Sequence, residues 1–336
     1  GYTDTQSLVA AIELKIPDTL SSGPKSLAQL AEASDARHDR LGQIMRTLHN
    51  NGIFELDAST ETYSNNHISE LLKSDNWTQW RSWVELYGTK FYDMSRGIPQ
   101  GLKRDSSRTS AQIKYDTDDS MFKYFQCQGW LPEFHRTLSA GAIAQAPGIL
   151  DDYPWEEVIE DCILDIGGGG GGLIALLLRR HRKMSGAIME LPMVLDQARE
   201  NFHASNGQYA DVSSQIPEAS IIAGDFMAEV SPSSVYTMKW CLHNWDDVKA
   251  SIILRNIRRA IKRSPRSRLV VFESVLRDGH MGRMASYADL DMMVAVGGQE
   301  RSESQWRNLA GQTGWQITRV FSLRNAWPCA IEFVPI

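Results

Sequence analysis

Hydrophobic positions fall into two regimes along the chain, and the change comes near Trp155. Before it, apolar residues recur three and four apart, as on one face of a helix. Ser26–Ala33 follows that spacing, and Ser26 stands three residues ahead of Gln29 in capping-box register, so a helix is expected there. A second helix is expected over Asp39–Leu48, stopped at Asn50-Asn51-Gly52, where glycine takes the left-handed conformation that ends a helix. Ile53–Leu56 and Thr62–Ser64, with a polar turn between, predict a two-stranded wing. Together these make a winged-helix unit. Residues from about 77 to 150 continue as aromatic-rich helix. Such a stripe usually packs helices together, but its place at a domain junction makes Trp130 and Phe134 candidates for a substrate pocket.

After Trp155, short apolar runs (162–164, 186–189, 220–222, 235–238, 269–272) alternate with amphipathic stretches, which predicts βα units and a parallel sheet. Trp315–Val320 and Ala330–Val334 predict a closing antiparallel hairpin. The fold expected is therefore α/β. A Rossmann-like domain with a mainly parallel sheet and C-terminal hairpin fills 101–336, with pocket helices at about 101–150. A mostly helical winged-helix domain fills 1–100.

The sharpest local feature is Ile163–Ile166 running into six glycines, Gly167–Gly172, and then an apolar helix. Without a Cβ, glycine lets main chain approach a bound ligand closely. NAD, FAD and S-adenosylmethionine (SAM) folds all use such a turn. Glu190 follows the next apolar run at the spacing where a carboxylate accepts ribose hydroxyls. Gly224-Asp225-Phe226 follows a third strand, where a side chain can meet a base edge and a ring can cover its face.

Composition narrows the partners. The net charge of −6 argues against a nucleic-acid partner, although a winged helix invites that reading. The basic run Lys262–Arg266 reads as a solvated loop. No apolar run approaches the roughly 20 residues that span a bilayer, and the start lacks the pattern of a signal peptide, so a cytoplasmic protein is expected. Four scattered cysteines without a CxxC pair read as free, buried thiols rather than a zinc site.

Five ordered motifs carry a resemblance over essentially the whole chain: Asp165–Gly172, Glu190-Leu191-Pro192, Gly224-Asp225-Phe226, Lys239–Asp247 and Gly297–Arg301. They resemble the DxGGGxG, DLP, GDFF, KWxLHDW and GGxER signatures of the plant and fungal O-methyltransferase family. The resemblance implies SAM as cofactor, with Gly167 and Gly169 at its methionine end and Asp165 among the cofactor-binding residues. It places Glu190 at the ribose, Asp225 and Phe226 at the adenine and Lys239 alongside, with Leu191 and Gly224 also among the cofactor-binding residues. It also implies a homodimer through the N-terminal domain, a small-molecule acceptor and no metal. Glu190 and Asn244 stand where the family has Asp, and glycine fills loop positions that usually carry polar side chains.

His243 is the candidate base, because a neutral imidazole can take the proton of a phenol as its oxygen attacks. By resemblance Glu273 and Glu300 flank it, one carboxylate fixing the tautomer through the second ring nitrogen. The function expected is O-methyl transfer to an aromatic or enolic hydroxyl of a secondary metabolite. Some fungal relatives instead keep SAM as a charge and catalyse dehydration or pericyclic steps on pyridones. For that alternative Arg277 and Asp278 form a candidate polar pair. Asn244 and Met293 complete the candidate acceptor-binding residues. A SAM-sensing regulator acting on DNA is the third reading.

Overall fold

Capping and glycine stops shape the N-terminal elements. The Ser26 hydroxyl accepts the Gln29 N–H at 3.3 Å while Gln29 accepts the Ser26 N–H at 2.8 Å, and the helix Leu27–Ala33 starts there. The helix His38–Asn50 stops just before Gly52, whose φ is +74°. Strands β1 (Lys25–Ser26), β2 (Phe54–Asp57) and β3 (Thr62–Asn65) form an antiparallel sheet in the order β1-β3-β2. Leu30, Leu41, Met45, Leu48, Phe54 and Tyr63 are buried between the two helices and this wing, so the expected winged helix is present.

The computed structural model describes residues 1–277, 283–324 and 326–336, in two units, Gly1–Ile143 and Ala144–Ile336. The units part inside the helix Leu131–Asp151, later in the chain than the division at residue 100 expected from the hydrophobic pattern. In the first unit Phe134 meets Phe122 and Phe125 edge-on, and Trp130 meets Phe125 edge-on under the Lys90 ammonium. Trp130 and Phe134 thus serve an aromatic packing cluster there.

In the second unit the strands are β4 (Cys162–Ile166), β5 (Ser185–Glu190), β6 (Ile221–Ala223), β7 (Val235–Lys239), β8 (Arg268–Leu276), β9 (Arg301–Ser302), β10 (Trp315–Ser322) and β11 (Pro328–Pro335). Their order is β10-β11-β8-β7-β4-β5-β6, with β9 beside β8. Pairs among β4–β8 are parallel, whereas β11 runs antiparallel to both β8 and β10, as the pattern predicts. Alternate residues face opposite sides. Ile163, Val235, Val270 and Phe272 enter one core, and Leu164, Tyr236, Met238 and Val271 the other. Each side chain of this size contributes roughly 1.5–3 kcal/mol on burial.

Two features of the register build the site. Strands β4, β5, β6 and β7 end together, so the loops after Ile166, Glu190, Ala223 and Lys239 share one sheet edge. Strand β8 pairs with Lys239 at Phe272 and then runs four residues further, where β9 joins it at Val275 and Leu276. Glu273 and Glu300 are thereby carried to the loop that follows β7.

The thiols require a correction. All four cysteines are free, but Cys127 and Cys162 are exposed and only Cys329 is buried. Cys162 opens β4, where the strand still faces solvent. Among the described residues no helix is long and apolar enough to cross a membrane.

Candidate active site

The glycine loop is built for close approach. Gly167 has φ +68°, and a Cβ there would stand 2.7 Å from Cys241 Sγ and 3.7 Å from the Phe226 ring. Gly169, at φ +55°, faces open space. Beneath the loop Asp165 accepts the Thr237 hydroxyl at 2.8 Å, and burial pushes its carboxyl up to about 7. Glu190 accepts the Leu191 N–H at 2.6 Å, and Gly224 donates its N–H to the Glu190 carbonyl at 2.9 Å. Burial raises the Glu190 carboxyl against the N–H groups of Leu191 and Gly169. Asp225 is exposed and accepts the Met227 N–H at 2.8 Å, while Asn256 holds the carbonyls of Phe226 and Met227. Phe226 stands edge-on to Trp245. Bare main chain, a carboxylate and a ring on one sheet edge fit a nucleoside cofactor. Lys239 lies 3.6 Å from the centre of the Trp240 ring, and burial lowers its ammonium to about 8 despite Asp165.

His243 sits in a short helical turn, Leu242–Asn244, directly after β7. Its Nδ1 lies 2.9 Å from Glu300 Oε1 and 3.1 Å from Glu273 Oε2, and all three side chains are buried. The geometry of a hydrogen bond is met with Glu300; Glu273 Oε2 has no aligned partner. Glu273 Oε1 instead accepts the N–H groups of Cys241, Leu242 and His243 at 2.9, 2.9 and 3.3 Å. Burial lowers the imidazole's basicity while the Glu273 charge opposes that shift. Burial also raises Glu273 to about 7 and Glu300 to about 8. Sequence reasoning expected one carboxylate on the second ring nitrogen, and the structure brings both to it.

The loop carrying His243 is held from several sides. Trp240 has φ +54°, a conformation costing a non-glycine residue roughly 1–3 kcal/mol, and its N–H is bonded to the Phe272 carbonyl at 3.1 Å. Arg301 is fully buried and donates to the carbonyls of Leu242 and Trp245 and to Asp247. Gln299 donates its N–H to the His243 carbonyl, and Gly298 packs against that carbonyl so tightly that a Cβ would collide with it. Asp289 accepts the Glu300 N–H at 2.8 Å.

Arg301 and Asp289 escaped the sequence reading. The place of Arg301 at the end of the Gly297–Arg301 motif was the available signal for it, and Asp289 on its helix had none. Asp291, half-buried on the helix Arg283–Ala295, was also missed; burial alone pushes it up to about 7, and it has no ion pair among the described residues.

The remaining candidates divide. Asn244 donates to the Trp240 carbonyl at 3.4 Å. Arg277 donates to Ser322 and Cys329 at the end of β8, so its guanidinium is engaged in sheet contacts. Met293 is half-buried on the helix that ends beside the His243 loop. Asp278 lies outside the described residues.

An O-methyltransferase domain model matches residues 133–316, and an O-methyltransferase dimerisation domain model matches residues 1–75. The chain belongs to the O-methyltransferase family. It is 50% identical to O-methyltransferase aclM of Aspergillus oryzae over 100% of this chain and 78% of that protein. It is 48% identical to O-methyltransferase verK of Clonostachys rogersoniana, covering 100% of this chain and 82% of that one. A solved structure of CalO1, a methyltransferase in calicheamicin biosynthesis in its SAH-bound form, shares the fold with a TM-score of 0.86. That match has 24% identity and covers 100% of this chain and 95% of that one. The protein is a SAM-dependent O-methyltransferase, as the five motifs predict.

Proposed function

We propose that this O-methyltransferase methylates an aromatic or enolic hydroxyl of a small secondary metabolite, with His243 as general base. One observation carries the reading: Nδ1 of His243 is committed to Glu300 at 2.9 Å, which leaves Nε2 as the ring's free lone pair. SAM, held by the glycine loop, Glu190, Asp225 and Phe226, supplies a methyl group already activated by its sulfonium. The chain must then position the hydroxyl and remove its proton as the oxygen attacks. His243 accepts that proton on Nε2, and the Glu273 carboxylate beside Nδ1 stabilises the imidazolium that results. Glu300 and the Arg301 clamp keep the ring in place.

His243, Glu273 and Glu300 also offer ligand atoms within 4.8 Å of one another, a spacing compatible with a cation. Three backbone N–H groups point at Glu273 Oε1 and a hydrogen bond uses Nδ1, which favours proton handling over metal binding. The same reading includes a homodimer formed through the N-terminal domain. Nothing specific favours the pericyclic alternative, since Arg277 is engaged at the end of β8.

Product counting tests the reading. S-adenosylhomocysteine is expected to appear one for one with a methylated phenol or enol. Product formed from an acceptor with no S-adenosylhomocysteine would refute methyl transfer.

A further inference from the structure

We infer that the two glutamates beside His243 hold a single negative charge between them, with Glu273 ionised and Glu300 carrying a proton. The inference rests on the assignment of His243 as base and says how the pair sets that base.

The starting point is an overcrowded nitrogen. Two carboxylates stand 2.9 and 3.1 Å from one Nδ1, which has at most one hydrogen to share. If both were ionised, two buried anions would keep the ring permanently as imidazolium and remove the Nε2 lone pair. If both were neutral, no counter-charge would meet the imidazolium when it forms. One charge lets the ring be neutral at rest and stabilised once protonated. Like carboxylates sharing a site commonly settle in this way.

The surroundings decide which glutamate is charged. Glu273 Oε1 receives three backbone N–H donors, an arrangement suited to an anion. Lys239 adds positive charge on the Glu273 side. Glu300 has the opposite company: Asp289, an acid, accepts its main-chain N–H at 2.8 Å, and that carboxylate opposes a second charge on Glu300. Arg301 lies next to Glu300 and its charge favours the ionised form, but its hydrogen bonds go to Asp247 and the carbonyls of Leu242 and Trp245. Glu300 Oε2, like Glu273 Oε2, is buried without an aligned hydrogen-bond partner, and the Ser274 hydroxyl beside the Glu300 carboxyl offsets only part of the upward push on it.

The proton balance is simple. In the transfer step the acceptor O–H bond breaks and an Nε2–H bond forms on His243. The proton on Glu300 stays where it is, and the Glu273 charge is neutralised through space.

Infrared difference spectra of the enzyme at pH 7 test the assignment. The carbonyl stretch of a protonated carboxyl is expected in wild type and in Glu273→Gln, and it is expected to vanish in Glu300→Gln. Subtracting variant from wild type removes the bands of Asp165 and Asp291. Both substitutions are expected to slow methyl transfer, Glu300→Gln by disturbing the hydrogen bond that seats the ring and Glu273→Gln by removing the counter-charge, with the larger loss, roughly 10²-fold, in Glu273→Gln. A band lost in Glu273→Gln instead, or equal losses of rate in both variants, would overturn the inference. If either variant does not fold, side-chain ¹³C-glutamate labelling of the wild type decides by counting. A protonated glutamate at pH 7 is required, and its absence overturns the assignment. The spectrum reads charge whatever the rate, so it stands apart from a failure of His243 as base.

Discussion

At the scale of single residues, the site depends on groups held away from their ordinary ionisation. Asp291 gives the clearest stability test. Its folded carboxyl titrates near 7, above the unfolded range, so the native state binds the extra proton between about pH 4 and 7. Stability from this group is therefore present at low pH and lost as pH rises through 7. Asp291→Asn is expected to raise the melting temperature more at pH 8 than at pH 4.5. Equal shifts at both pH values would show that Asp291 is not held neutral by burial. At the same scale, chelation by EDTA is expected to leave turnover unchanged, because His243, Glu273 and Glu300 act on a proton. Activity lost to EDTA and restored by a divalent cation would reverse that assignment.

At the scale of elements, the strand lengths explain why distant residues meet. The excess of β8 over β7, together with the pairing of β9, delivers two glutamates to one imidazole from positions 27 residues apart. The loop between β7 and its following helix is then fixed by Gly298, whose lack of a side chain permits contact with the His243 carbonyl. Gly298→Ala is expected to displace His243 and lower kcat by about 10²-fold while SAM affinity, read by calorimetry, stays within about twofold. An unaltered kcat would mean that the loop does not need this contact. Gly167→Ala should show the reverse emphasis, weakening SAM binding first, since the new Cβ meets Cys241 Sγ at 2.7 Å and φ is positive.

Much of this level was legible in the chain. Alternating apolar runs located the parallel strands, and the capping box and Gly52 located the helices Leu27–Ala33 and His38–Asn50, because these are local rules; the helix Tyr2–Glu13 before them was not read. His243 and Glu300 were legible through motif order, and Glu273 through its place just after the run Leu269–Phe272 in the family resemblance. The shared nitrogen was not, since it depends on where β8 ends relative to β7. Nor were Asp289 and Arg301, whose roles exist only through tertiary hydrogen bonds to the Glu300 N–H and the carbonyls of Leu242 and Trp245. The exposed thiols of Cys127 and Cys162 were misjudged because cysteine is so often buried, whereas these two stand at a helix end and a strand start.

At the scale of the whole molecule, residues 1–75 of the N-terminal unit match a dimerisation domain and the second unit contains every residue of the proposed proton path. Light scattering is expected to give the mass of two chains, and a stable, active monomer would count against a homodimer. The central claim is narrower: a buried imidazole, held at Nδ1, takes the acceptor's proton. Single-turnover methyl transfer by His243→Ala, measured beside SAM binding, tests it most directly. The account predicts a fall of roughly 10²–10⁴-fold with SAM affinity preserved. Wild-type turnover in that variant would contradict it.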